Sequence, residues 1–168
     1  MEIKSNEHYK TWGRSRSNRI VNYNYSEDRP IHVTICADQK KNMFNLDVNA
    51  KIIINELLKT AKDFKFRILC YCLMPDHLHV VISPGESNLS LSKFLNIFKG
   101  RTTTLFRKKK GLGKIWQRSA FDHIIRAGED LKIIIEYIMN NPVRKGIVEK
   151  AEDYSYSELF DVEIQRYI

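Results

Sequence analysis

Apolar residues along this chain recur with two different periods, near two in some stretches and near 3.6 in others. Ile31, Val33 and Ile35 alternate with His32, Thr34 and Cys36, which predicts a strand over residues 31–37. Asp47 stands as an N-cap for a helix to about Asp63, with Ile53, Leu57, Leu58 and Ala61 as its apolar stripe. A second strand is predicted from Lys65 to Leu73. The tight Pro75-Asp76 connection leads from it into a third strand at His77, so these two are expected to pair as an antiparallel hairpin. Asn88 or Ser90 opens a second helix, with Leu91, Phe94, Leu95, Phe98 and Leu105 toward the core and Gly111 and Gly113 at its end. Phe121 to Ala127 reads as a strand. Glu129 to about Asn141 reads as a third helix, stopped by Pro142 because the residue before a proline disfavours helical backbone. From Val143 onward a short tail is expected, holding Asp153-Tyr154-Ser155-Tyr156-Ser157.

The order β, α, β, β, α, β, α predicts an α+β fold of ferredoxin-like (RRM-like) type, an antiparallel sheet with helices on one face. Residues 1–28 are polar and carry Arg14, Arg16 and Arg19 among Ser15, Ser17 and Asn18, which suggests a flexible basic arm; residues 29–168 are expected to form one domain. The formal net charge of +8 makes an anionic partner the first expectation, nucleic acid ahead of a membrane surface. A hydrophobic content of 43% is enough for a core and argues against global disorder. No apolar run approaches the ~20 residues of a membrane span, and no signal core opens the chain, so a cytoplasmic protein is expected. Cys36, Cys70 and Cys72 form no even framework and read as reduced core thiols.

The candidate chemistry begins at Pro75-Asp76-His77-Leu78-His79. On a strand His77 and His79 share one face, while Leu78, Val80 and Ile82 share the other. Two imidazoles on one face can hold a divalent metal, or they can simply face solvent from a half-buried strand. A zinc site joining them to Cys70 or Cys72 is a further alternative, but the spacing matches no common structural zinc pattern. On the third helix Leu131, Ile134, Ile135 and Ile138 make the apolar stripe. Tyr137 falls off its centre, with Asn141 beside it four residues on. Such a tyrosine either presents its hydroxyl for chemistry or is an interface residue with a wet tip. Lys99, Arg101, Arg107, Lys108, Arg118 and Arg144 are the basic candidates for a nucleic-acid backbone, and Trp116 and Tyr71 the aromatic ones for stacking. For Trp116 a core anchor is the competing role.

Taken together, His77-Leu78-His79 resembles the HUH motif of single-strand-specific nucleases. Tyr137-Ile138-Met139-Asn140-Asn141-Pro142-Val143-Arg144-Lys145-Gly146 resembles the catalytic segment of the one-tyrosine transposases, especially their REP-associated branch. Trp116-Gln117-Arg118, Phe121 to Arg126, Ile31-His32-Val33-Thr34 and Asp153 to Ser157 look like other segments of the same group, so that the likeness spans residues 30–157. The resemblance implies an HUH endonuclease fold, with Tyr137 as nucleophile and His77, His79 and Asn141 as ligands of Mg²⁺ or Mn²⁺. It also implies a metal-dependent single-strand DNA endonuclease and strand transferase that acts through a covalent 5′-phosphotyrosine. Its partner would be single-stranded or hairpin DNA, and a monomer is expected ahead of a homodimer. The alternative is a domesticated relative that binds DNA hairpins without cutting.

Overall fold

Strand β1 (Ile31–Cys36) forms where the alternation predicts it and becomes an interior strand of the sheet. The computed structural model describes residues 29–111, 113–125 and 131–160, so the arm expected over 1–28 and the strand end expected at Ala127 lie outside the described residues. β2 (Arg67–Met74), β3 (His77–Ser83), β4 (Phe121–Ile124) and β5 (Ser157–Leu159) complete a five-stranded sheet of order β4-β1-β3-β2-β5. Every pairing is antiparallel. The α+β fold class holds.

Helices α1 (Asp47–Phe64) and α2 (Leu91–Lys110) cover one face. There Val33, Ile35, Leu78, Val80 and Ile82 pack with Ile53, Leu57, Phe94 and Phe98. Each such side chain contributes about 1.5–3 kcal/mol when fully buried. Ser90 caps α2 by accepting a hydrogen bond from the Lys93 N–H, and Gly111 ends it in the left-handed region. Asp47 is the first residue of α1 rather than its cap; it pairs with Lys51 one turn on. Lys65 takes the left-handed conformation that ends α1, which delays β2 to Arg67. The apolar stripe of α2 runs through Thr102 to Phe106, not Leu105. Thr102 hides the phase in the sequence, since its buried hydroxyl accepts the Trp116 indole N–H at 2.8 Å.

The other face was expected to be open, and only part of it is. Helix α3 (Leu131–Met139) lies there, packing Leu131, Ile134, Ile135 and Ile138 on Leu69, Cys70, Cys72 and Val81. A register shift between Ile68 and Cys70 leaves Leu69 as the extra residue, so Ile68 and Tyr71 both face the first core. β2 is thus apolar on both sides, as a strand covered on both faces must be. Pro142 does not end the order: it sits in the first turn of a short helix, α4 (Asn141–Arg144), where a missing N–H costs nothing. The short tail beyond it, to which the sequence pattern assigns no element, supplies β5, which pairs with β2. Ile138→Ala is expected to cost about 2–5 kcal/mol in urea denaturation, because Ile138 is completely buried in this second core.

Candidate active site

The histidine pair is set by the hairpin. Met74 opposes His77, so Pro75 and Asp76 alone make the turn. Both turn carbonyls are pinned, Pro75 O by the Phe44 N–H at 2.9 Å and Asp76 O by the Ala37 N–H at 2.8 Å. Pairing with β1 then places Thr34 opposite His79 and Cys36 opposite His77. The expected division of faces is realised: Leu78, Val80 and Ile82 are in the helix-covered core, and His77 and His79 are on the other side.

The two Nε2 atoms converge at 3.0 Å. His77 Nδ1 lies 2.5 Å from Asp76 Oδ1, and a carboxylate accepts, so that ring donates from Nδ1 and turns its Nε2 to its neighbour. His79 Nδ1 is 3.0 Å from Thr34 Oγ1 and 3.1 Å from His32 Nε2. Burial, then the nearby His32, His77 and Arg144, hold His79 well below the usual histidine range, so its ring is neutral. Burial likewise brings His32 down to about 4. These donors suit a divalent cation: metal–nitrogen bonds of about 2.1 Å at right angles put two imidazole nitrogens about 3 Å apart.

Tyr137 lines the same cleft, a space of about 680 Å³ bordered also by His32, Thr34, Lys40, Gln117 and Lys145. The isoleucine stripe of α3 is buried while Tyr137 stays half-buried at its flank, as the helical spacing predicts. Arg144 reaches back from α4 and lays its guanidinium 4.3 Å from the centre of the Tyr137 ring. Nucleophile candidate, imidazole pair and cationic groups therefore meet within one chain.

Other residues singled out in the sequence have mixed fates. Asn141 is buried but does not border the cleft; its Nδ2 donates to the carbonyls of Tyr137 at 3.1 Å and Ile138 at 3.3 Å. Lys99 is committed to the chain itself, donating to the carbonyls of Gln117, Arg118 and Ser119, and burial brings its ammonium down to about 8. Arg101 bridges Glu56 and Asp63 between α1 and α2. Arg107, Lys108 and Arg118 are exposed. Trp116 is a core anchor against Phe44 and Phe98, and the buried Tyr71 donates to Glu158, so neither offers a ring to a base. Cys70 and Cys72 are free thiols pushed up to about 12 by burial. Among the described residues no group of three or more His, Cys, Asp and Glu is gathered as a metal site, and Cys70 and Cys72 pack in the cluster beneath α3. Sequence reasoning gave no role to His32, Thr34, Lys40 and Lys145, although the alternation of β1 already put His32 and Thr34 on the histidine face.

Residues 25–141 match the family described as "Transposase IS200 like". An uncharacterized protein of Haemophilus influenzae is 29% identical over 158 residues, covering 76% of this chain and 88% of its own. A REP-associated tyrosine transposase of Escherichia coli strain K12 is 28% identical over 114 residues, covering 67% of this chain and 66% of its own. A solved REP-associated tyrosine transposase bound to a REP hairpin superposes with a TM-score of 0.71 at 22% identity, over 92% of this chain and 87% of that one, which shows a shared fold. With a family match that takes in the histidine strand, the tyrosine helix and the helix and strand between, the chain belongs to the IS200-like transposase family, enzymes of the one-tyrosine HUH type.

Proposed function

We propose that this transposase is a divalent-metal-dependent endonuclease and strand transferase for single-stranded, hairpin-bearing DNA, with Tyr137 as its nucleophile. The observation that supports it most is the single cleft shared by Tyr137 and the paired imidazoles of His77 and His79. The hairpin-bound structural relative supports the choice of DNA.

In this mechanism the Tyr137 phenolic oxygen attacks the scissile phosphorus. A phosphorus–oxygen bond to tyrosine forms, and the bond to the 3′-oxygen breaks. The phenolic proton leaves, and the departing 3′-oxygen gains one, giving a 5′-phosphotyrosine and a free 3′-hydroxyl. A later 3′-hydroxyl reverses the exchange on a new strand, so no external energy source is needed. His77 and His79 would hold Mg²⁺ or Mn²⁺, and Asn141, whose amide serves the carbonyls of Tyr137 and Ile138, would have to turn its oxygen into the cleft to join them. Such an ion supplies Lewis-acid stabilisation of the phosphoryl charge. Arg144 keeps the Tyr137 ring oriented and adds positive charge where negative charge develops. Because all these groups come from one chain, a monomer suffices.

The test is incubation of labelled single-stranded hairpin DNA with the protein and Mg²⁺ or Mn²⁺. A protein–DNA adduct that survives SDS is expected. Tight hairpin binding without cleavage in any divalent metal would instead mark a binding protein. Lys145→Ala, at the cleft border, is expected to weaken binding to all sequences alike. It should also reduce the slope of log affinity against log salt by about 0.7–0.9, as loss of one phosphate contact requires. Asn141→Ala separates two roles: lower Mn²⁺ affinity at unchanged stability marks a ligand, and lower stability at unchanged affinity marks a cap for α3.

A further inference from the structure

The imidazole pair does not end at His79. Across the same face His123 on β4 opposes His32 on β1, and Thr34, two residues on, opposes His79 on β3. The strand register therefore brings His32 and Thr34 to the far side of His79, opposite the nitrogen that faces His77. His32 Nε2 and Thr34 Oγ1 both lie within 3.1 Å of His79 Nδ1, and 3.5 Å from each other. His32 is only 7% exposed and His79 8%, so these contacts are closed to bulk water.

We propose that His32 and Thr34 are positioning residues that accept the Nδ1 proton of His79 and thereby fix the tautomer whose Nε2 lone pair faces His77. On the other side of the pair Asp76 fixes His77 in the same sense. The two rings then turn their Nε2 atoms to one point, a place for a single divalent cation. Without His32 and Thr34 the His79 proton can move to Nε2, where it hydrogen-bonds His77 and blocks that point. Outer partners of this kind orient a ligand ring and tune its basicity. The inference rests on the metal-holding role proposed above for His77 and His79.

The experiment uses two independent readouts on the whole chain. Nitrogen-15 spectra of histidine-labelled, metal-free protein report which nitrogen of His79 carries the proton. Titration with Mn²⁺ alone reports affinity. The wild type is expected to show a protonated Nδ1 and an unprotonated Nε2 at His79. His32→Phe and Thr34→Val should each raise the Nε2-protonated share and weaken Mn²⁺ binding about 10–100-fold. His32→Gln, which returns a polar group near the lost Nε2, should recover most of the affinity. If folded His32→Phe and Thr34→Val proteins keep the wild-type tautomer or the wild-type affinity, the inference is overturned; should His32→Phe fail to fold, Thr34→Val decides alone. A wild type that takes up no Mn²⁺ would sink the metal role of the pair, while the tautomer spectra would still judge His32 and Thr34.

Discussion

The Tyr137→Phe protein is expected to bind hairpin DNA as the wild type does and to form no SDS-resistant adduct. The change removes one oxygen. The ring that Arg144 covers is kept, and the isoleucine stripe beside it is untouched, so stability should move by less than about 1 kcal/mol. Strand cleavage should fall by at least about 10³-fold, because removal of a nucleophile leaves only the binding and electrostatic parts of the catalytic machinery. Cleavage assays on labelled single-stranded DNA, with gel shifts run in parallel, separate chemistry from affinity. An adduct that forms at the wild-type rate without the hydroxyl would mean that another group attacks.

Loss of the imidazole pair should be nearly as severe. His77→Ala with His79→Ala is expected to reduce cleavage about 10³-fold or more, the several kcal/mol that a Lewis acid contributes to phosphoryl transfer. The same loss should follow from EDTA treatment of the wild type. Added Mn²⁺ should then restore the wild type and leave the double variant inactive. Binding of DNA should persist in both, since Arg107, Lys108, Arg118, Arg144 and Lys145 remain. Cleavage that continues undiminished in EDTA would remove the metal from the mechanism.

Much of this architecture is legible in the chain because the informative positions follow one period. The alternation through Leu78, Val80 and Ile82 fixes which way His77 and His79 point. The stripe of Leu131, Ile134, Ile135 and Ile138 likewise fixes the flank on which Tyr137 lies. What stays hidden depends on tertiary contact. Cys70, Cys72 and Val81 are apolar on a face that the strand order alone leaves open, and only the docking of α3 explains them. β5 has three residues, too few for a pattern, and exists because β2 offers it an edge. Lys99 and Arg101 look like ligands for DNA in a sequence, where nothing reveals the carbonyls and carboxylates that occupy them. His32 is the opposite case: its side was predictable, but its function depends on a strand pairing 47 residues away.

The tyrosine helix is seated on an oily patch of its own, on the reverse of the sheet from the larger cluster around Phe94 and Phe98. Contacts of that kind lack direction and tolerate exchange among aliphatic shapes of similar volume. Substitutions in the two clusters should therefore combine almost independently in their thermodynamic effects. Natural variation can shift Tyr137 by fractions of an ångström through its aliphatic cushion while the scaffold that holds the histidines stays as it is.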